Sequence, residues 1–214
     1  MLAVDVETHD WQEDGRKAVQ VGQFGHLSFI SREKLQYSRI VQFGWVIFKI
    51  TNQGVQVEQQ VQQCVCDLPV RMSDKAKNFH HLREIDLRRG QPMRAVLTRF
   101  GRACITVERS GGKMIAHHLE FDAALIAAEL RRARMSHIVQ RVERMAREGI
   151  CTFELVKSIP PLTKYAGLKS SCRKYGVPFD DKKHHSALYD ATKAAHLFGR
   201  LFQIKQVLNK CIQL

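Results

Sequence analysis

LAVDVET, residues 2–8, places two carboxylates inside an apolar run near the start of the chain, with Asp5 and Glu7 two residues apart. A β-strand points residues i and i+2 to the same face, so a strand here directs both charges at one spot beside a hydrophobic core. Like charges held together in a poorly solvated place destabilise a fold unless a cation neutralises them. This stretch therefore predicts a strand that needs a positive partner.

Two more acids stand in apolar surroundings further along the chain. Asp122 follows the apolar stretch KMIAH, residues 113–117, and Asp190 lies beside the apolar stripe of the last helical segment. Taken singly, each has an ordinary interpretation, as an acid that favours a helix dipole or lies on a helix flank. Taken together with Asp5 and Glu7, they make a set of four carboxylates. Two Mg²⁺ ions would balance that charge, and such a metal pair is suited to phosphodiester cleavage.

The remaining pattern predicts an α/β fold with a mixed β-sheet. Strong strand signals at 40–50 and 55–66 flank the turn Asn52-Gln53-Gly54 and predict an antiparallel hairpin. Strands and helices then alternate, which is typical of parallel strands flanked by helices. The further predicted elements are a helix capped by Ser73, a helix started by Pro92, strands at 113–117 and 150–156, and helices at 121–133, 162–175 and from Ser186 onward. The helix at 121–133 either continues or restarts through an Arg-rich stretch to Glu148.

We expect a single domain over 1–214, with an inserted loop or hairpin at about 9–39. That insert interleaves the aromatic residues Trp11, Phe24, Phe29 and Tyr37 with several basic side chains. Basic and aromatic groups in one segment suit stacking on unpaired bases. A surface hairpin that packs its own aromatic residues explains the pattern equally well, and the sequence does not separate the two.

Net charge and cysteine usage limit the class of partner and the cell compartment. The chain carries 34 Lys and Arg against 21 Asp and Glu, a formal net charge of +13. Such an excess favours a polyanionic partner over a merely soluble basic protein. Nucleic acid is expected and a membrane is not, because no helical segment combines a large apolar face with Lys and Arg edges. Six scattered cysteines, without zinc-site spacing, and the lack of a signal peptide or long apolar run predict an intracellular protein, cytoplasmic or nuclear, and not secreted.

Three motifs in this order resemble those of the DEDDh, or DnaQ-like, 3′–5′ exonucleases, which share an RNase H-like fold. VDVET matches D-x-E-T, AHHLEFDAALIAAEL matches H-N-x-x-F-D, and HSALYDA matches H-x(4)-D. The resemblance extends over nearly the whole chain apart from 9–39 and 134–148. It implies cleavage of single-stranded DNA or RNA from a free 3′ end, with release of nucleoside 5′-monophosphates.

The resemblance also implies roles for individual residues. Asp5, Glu7, Asp122 and Asp190 would hold two Mg²⁺ or Mn²⁺ ions, and His185 would be the general base that takes a proton from the attacking water. Five residues on a helix span about 140° around its axis, so His185 and Asp190 converge only if His185 precedes the helix. Ser186 as N-cap would place it there.

Further residues are predicted to contact substrate. The predicted contacts are Thr8, His9, His80, His117, His118, Phe121 and Lys183, with Lys182 and the arginines at 131, 132, 134, 141, 144 and 147 as additional candidates. For His80 a packed or surface role is an equal alternative, and an Arg-rich helix is more often a solvated face. His9 and His118 stand where the family has Thr and Asn, and Cys151-Thr152 stands where it has Asp-Thr. The first two departures leave open how the sugar and phosphate of the substrate are held.

Two hypotheses follow. The first is a metal-dependent 3′–5′ exonuclease acting by a two-metal-ion mechanism, with a homodimer as a candidate assembly because members of the family often dimerise. The second is a non-catalytic RNase H-like module that binds nucleic acid or a protein. The sequence does not distinguish DNA from RNA, because no motif indicates a pocket for the 2′-hydroxyl.

Overall fold

The computed structural model of the chain describes residues 1–10, 38–69, 71–159 and 167–212. Most of the predicted insert at 9–39 lies outside these residues, as does the start of the helix predicted at 162–175.

Five strands form one mixed sheet in the order β3-β2-β1-β4-β5. The strands are β1 Leu2–Thr8, β2 Ile40–Thr51, β3 Gly54–Cys64, β4 Met114–Ala116 and β5 Ile150–Cys151. β2 pairs antiparallel with both β1 and β3, whereas the β1–β4 and β4–β5 pairs are parallel. The predicted mixed sheet and its antiparallel hairpin are therefore confirmed.

Helices cover both faces of this sheet. In the described ranges they are α1 Asp74–His80, α2 Glu84–Arg88, α3 Met93–Arg109, α4 Leu119–Arg132, α5 Ser136–Arg147, α6 Thr152–Lys157, α7 Leu168–Lys174 and α8 Ala187–Ile212. None of these described helices has the length and apolar character needed to cross a membrane.

Strand β1 lies at the centre of the sheet and separates two cores by its alternation. Leu2, Val4 and Val6 are buried in the core formed with α3, α4 and α5. Ala3 is buried in a second core with Ala191 and other residues of α8. Because the side-chain period of a strand is two, Asp5 and Glu7 share the face of Ala3. The two acids are thus on the side of the sheet that α8 covers.

Local signals set most helix ends as predicted. The Ser73 hydroxyl accepts a hydrogen bond from the Ala76 N–H at 3.1 Å, and Pro92 directly precedes α3. Arg134 has a positive φ of 55°, so the backbone cannot continue as one helix and restarts as α5. Cys64, Cys66, Cys104, Cys151 and Cys172 are free thiols, of which Cys66 is exposed.

The strand predicted at 150–156 is wrong over most of its length. Only Ile150 and Cys151 pair with β4, and α6 begins at Thr152. The Phe153 N–H donates to the carbonyl of His117 at 3.1 Å, which turns the chain away from the sheet edge. Phe153, Leu155 and Val156 are instead packed around the core beneath α7 and α8. Their β-branched and aromatic character reflects this packing rather than a strand.

Candidate active site

Three carboxylates from two elements meet where β1 ends. Asp5 and Glu7 come from β1, and Asp190 comes from the first turn of α8. One oxygen of each lies within 4.8 Å of the others, while Glu7 is 7% and Asp190 5% exposed. The side-chain alternation predicted from LAVDVET therefore places both strand acids against the helix that carries the third.

Asp122 joins this group from a different side of β1. It lies in the first turn of α4, is 3% exposed, and accepts a hydrogen bond at 3.2 Å from the N–H of Val6, between the two strand acids. Burial, together with the negative charge of Asp190, raises the pKa of the Asp122 carboxyl well above its usual range. The N-termini of α4 and α8 favour nearby negative charge, which offsets only part of this cost.

The start of α8 is held against the sheet by glutamine side chains. Gln42 accepts from the Ala187 N–H at 2.9 Å, and Gln62 accepts from the Leu188 N–H at 3.2 Å. Ser186 precedes the helix as predicted, but its hydroxyl donates to Gln62 at 2.9 Å instead of accepting from the helix. A Cβ at Gly44 would lie 2.2 Å from the backbone of Ala187. Gly44 thus permits the close approach that brings Asp190 to β1.

Motif spacing alone does not predict how the histidine doublet before α8, His184 and His185, is arranged. His185 precedes the helix, as predicted, and its N–H donates to Asp190 Oδ2 at 3.1 Å. Its ring lies against Phe79, tilted by 38° with the centroids 3.5 Å apart, and one of its nitrogens lies within 4.8 Å of an Asp190 carboxylate oxygen. The His184 ring also faces this carboxylate, with Nδ1 at 3.0 and 3.1 Å from the two oxygens. His184 was missed by motif matching and is the further residue that the structure adds to the site.

Thr8 and His9 are fixed by their backbone just beyond the acids. The N–H of Leu82 donates to Nδ1 of His80 at 3.1 Å, so the proton of this ring is on Nε2, which donates to the Thr8 carbonyl at 3.2 Å. Burial lowers the pKa of His80, in agreement with a neutral ring. His80 is 6% exposed, so its surface alternative is wrong and it packs beneath Thr8. The Ser73 N–H donates to the His9 carbonyl at 2.8 Å.

The second motif contributes one buried and one exposed histidine. His117 is 5% exposed, and its Nδ1 lies 2.9 Å from the hydroxyl of Thr152. His118 is exposed, precedes α4, and packs on the Phe153 ring with centroids 4.5 Å apart. Phe121 is partly buried against the main core. Substrate contact by these three residues stays a prediction, and the structure places His117 at the junction of β4 and α6.

The predicted basic contacts divide into two groups. Lys182 and Lys183 are exposed in the loop before the histidine doublet, where Lys183 Nζ lies 3.7 Å from Asp180. Most of the arginines on α4 and α5 instead form ion pairs within the protein. Arg131 pairs with Glu143, Arg132 with Glu129, and both Arg141 and Arg144 with Glu108. These pairs favour the solvated-face interpretation for the Arg-rich helix, while Arg134 and Arg147 are exposed.

The donor set of this cluster fits hard divalent cations. Asp5, Glu7 and Asp190 offer converging carboxylate oxygens, which Mg²⁺ and Mn²⁺ prefer as ligands. Asp122 lies behind them, with its charge opposed by burial and by Asp190. A divalent ion would relieve this repulsion, so the residues present fit the predicted metal ions.

Comparison with known proteins identifies the family. The RNase_T family model, described as Exonuclease, matches residues 19–198, which is more than half of the chain. The chain belongs to this exonuclease family. The match begins after β1, so the position of Asp5 and Glu7 beside Asp190 is given by the structure. The resemblance to DEDDh exonucleases is thereby confirmed.

Sequence relatives match over part of their length. Ribonuclease T from Photobacterium profundum is 30% identical over 97 residues, covering 44% of this chain and 39% of that protein. Ribonuclease T from Shewanella sp. (strain W3-18-1) is 28% identical over 85 residues, covering 40% and 35%. The chain thus spans less than two fifths of the length of these curated relatives.

Solved structures share the fold over almost the whole chain. The nuclease domain of 3′hExo, a DEDDh family member bound to rAMP, superimposes with a TM-score of 0.68 at 14% identity, covering 94% of this chain and 90% of that one. Cell-death related nuclease 4 (CRN-4) gives a TM-score of 0.60 at 14% identity, covering 95% and 63%. At these identities the likeness concerns the fold.

Proposed function

We propose that this chain is a metal-dependent 3′–5′ exonuclease that hydrolyses single-stranded nucleic acid ends and releases nucleoside 5′-monophosphates by a two-metal-ion mechanism. The observation that carries the proposal is the meeting of Asp5, Glu7 and Asp190 at one point, with Asp122 behind them, in an exonuclease-family fold. Carboxylates repel the phosphodiester of a nucleic acid, so such acids are useful to an enzyme that binds it only if cations lie between them and the substrate.

The residues have separate tasks in this proposal. Asp5, Glu7, Asp122 and Asp190 bind two Mg²⁺ or Mn²⁺ ions. When bound, the ions supply charge stabilisation at the attacking and leaving oxygens. Thr8 and His9 present backbone groups to the terminal nucleotide, and His80 holds the Thr8 carbonyl in place. Lys182 and Lys183 contribute phosphate contacts, which makes binding weaken with added salt.

His185 is the proposed acceptor of the water proton. Its backbone is already anchored to Asp190, because its N–H donates to Oδ2 of that residue. Its ring lies against Phe79, and one of its nitrogens lies within 4.8 Å of an Asp190 carboxylate oxygen, so it is close to any water bound beside the acids. A histidine has a pKa close to neutrality, which suits proton transfer at physiological pH.

RNA is the first substrate to test. The sequence relatives are named ribonuclease T, and one structure of similar fold concerns 3′-end specific recognition of a histone mRNA stem-loop by a 3′-exonuclease. Matched RNA and DNA strands of one sequence, degraded side by side, separate the two substrates through the 2′-hydroxyl.

The test compares strands labelled at opposite ends in the presence of Mg²⁺. We expect the 3′ label to appear at once as mononucleotide and the 5′ label to pass through a ladder of shortening products. Asp5→Ala and His185→Ala should each lose at least about a hundredfold in kcat, because metal binding and proton transfer each contribute that much or more. Asp74→Ala and His137→Ala remove an exposed acid and an exposed histidine as matched controls.

Full activity in Asp5→Ala would refute the mechanism. Metal-independent binding of RNA or DNA without turnover would instead support the non-catalytic binding module.

A further inference from the structure

A second cluster of metal-binding side chains adjoins the four carboxylates. His184, His185 and Asp190 each offer one ligand atom, and these atoms lie within 4.8 Å of one another. This cluster shares Asp190 with the carboxylate group formed by Asp5 and Glu7. The two clusters therefore overlap at one residue.

The ring of His184 is held in position by its neighbours. It stacks on the His185 ring with centroids 3.6 Å apart and an angle of 22°, and it meets the Phe179 ring edge-on at 5.0 Å. The side chain of His184 is 21% and that of Asp190 6% exposed. Because rings stacked at this angle do not both point a nitrogen lone pair at one ion, one imidazole must tilt about its side-chain torsions when a metal binds.

The distances are close to those of a tetrahedral metal centre. Zinc bonds to imidazole nitrogen and carboxylate oxygen near 2.0–2.1 Å, which separates neighbouring ligand atoms by roughly 3.3 Å. The His184 Nδ1 lies 3.0 and 3.1 Å from the Asp190 oxygens. Shifts of a few tenths of an ångström would therefore admit an ion between them.

The chemistry of the two clusters differs. Two imidazoles and one carboxylate are a donor set typical of Zn²⁺ and similar transition metals. The adjoining all-oxygen cluster suits Mg²⁺, which binds imidazole poorly by comparison. Since both clusters require Asp190, occupancy of one changes the ligands available to the other.

We propose that His184, His185 and Asp190 form an inhibitory Zn²⁺ site. The bound ion occupies the carboxylate of Asp190 and holds the His185 imidazole, which keeps that ring from accepting a proton. The inhibitory part of this statement rests on the proposed function, whereas the binding of Zn²⁺ does not.

The test begins with binding, measured without any nucleic acid. Calorimetric titration of Zn²⁺ into the full chain in excess Mg²⁺ should give one site, and Co²⁺ should give the visible absorption of a tetrahedral centre. His184→Asn should weaken Zn²⁺ binding by at least about tenfold, since even residues behind metal ligands are commonly worth that factor. His137→Asn, at an exposed histidine on α5, is the matched control and should bind as the parent does. Circular dichroism establishes that each variant is folded.

Inhibition is then measured as Mg²⁺-supported nuclease activity at increasing Zn²⁺. The parent and His137→Asn should lose activity over the concentration range of the measured binding. His184→Asn, compared with its own zinc-free rate, should require at least about ten times more Zn²⁺.

Each outcome decides one part of the proposal. A parent that binds no Zn²⁺, or a His184→Asn variant that binds it as tightly, would overturn the site. A zinc site lost in His184→Asn without any inhibition of an active enzyme would overturn its inhibitory role. Absence of Mg²⁺-supported activity in every variant would count against the proposed function, and the binding data would still decide the site.

Discussion

Helix α4 contains two buried acids seven residues apart, and their charged neighbours are of opposite sign. Glu129 is 1% exposed and is surrounded by cations, with Arg39 Nε at 2.8 Å and Arg132 Nη1 at 3.0 Å. Asp122 is 3% exposed and has the Val6 N–H at 3.2 Å, but its charged neighbour is another acid, Asp190. The first acid is neutralised by the chain itself. The second is, in the proposed function, neutralised by divalent ions.

This contrast separates an acid that is neutralised within the fold from one to which the proposed function gives a metal-binding role. Glu129 also accepts from the Ile40 N–H at 3.2 Å, so it joins the start of β2 to α4. Removing it leaves the partly exposed Arg39 and Arg132 without their carboxylate, which costs stability. Removing the charge of Asp122 relieves repulsion, which costs only function. A substitution at Glu129 should therefore lower stability, whereas a substitution at Asp122 should lower activity without lowering stability.

The largest effect is expected from Asp122→Asn. The amide oxygen can still accept from Val6, but a metal ligand is lost, so kcat should fall by about a thousandfold or more. Thermal unfolding without metal should occur at an equal or higher temperature than in the parent. Added Mg²⁺ should raise the unfolding temperature of the parent more than that of the variant. A variant that is active, or that is less stable without metal, would contradict the contrast.

A smaller effect on stability alone is expected from Glu129→Gln. The amide leaves Arg39 and Arg132 without their carboxylate, and we expect a loss of about 2–3 kcal/mol in the free energy of unfolding, given that both arginines are partly exposed. Urea denaturation measures it, with Glu148→Gln at an exposed position as control. The shift in unfolding temperature on adding Mg²⁺ should match that of the parent. A loss confined to Mg²⁺ binding would instead assign Glu129 to the metal site.

The smallest effect concerns pH. The pKa of Asp122 is raised in the folded state, so between its unfolded and folded values the folded chain holds more protons. Stability of the metal-free protein should then fall as pH rises through that interval, by at most about 1.4 kcal/mol per pH unit for one proton. Urea denaturation at several pH values should show that the free energy of unfolding of Asp122→Asn increases relative to that of the parent as pH increases. A constant difference between the two would show that Asp122 does not titrate in this way.

The sequence predicted the sheet from local periodicity, and the same periodicity indicated which of its acids could share one face. The alternation in LAVDVET sets which face carries Asp5 and Glu7, and helix starts set the positions of Asp122 and Asp190. The approach of Asp190 to β1 also depends on Gly44, which is distant from it in sequence. The motif order supplied the rest of the family resemblance.

Contacts between distant residues could not be predicted in this way. Glu129 stands in a run of good helix formers and has no local sign of burial, because its partner Arg39 is 90 residues away. The arrangement of the His184 and His185 rings beside Asp190 involves the positive φ of His185, 63°, and the contact of its ring with Phe79. Motif spacing identifies His185 but gives no information on where its ring points.

Residues 9 and 39, at the two ends of the predicted insert, pair with each other. The His9 N–H donates to the Arg39 carbonyl at 3.0 Å, and the Arg39 N–H donates to His9 Nδ1 at 3.1 Å. The ends are thus closed against each other as in a hairpin, directly after the strand that carries Asp5 and Glu7. A segment attached at such a junction can be shortened or exchanged without altering the register of β1 and β2. The chain is in this sense modular: segments from relatives could be grafted between residues 9 and 39 onto an unchanged set of carboxylates.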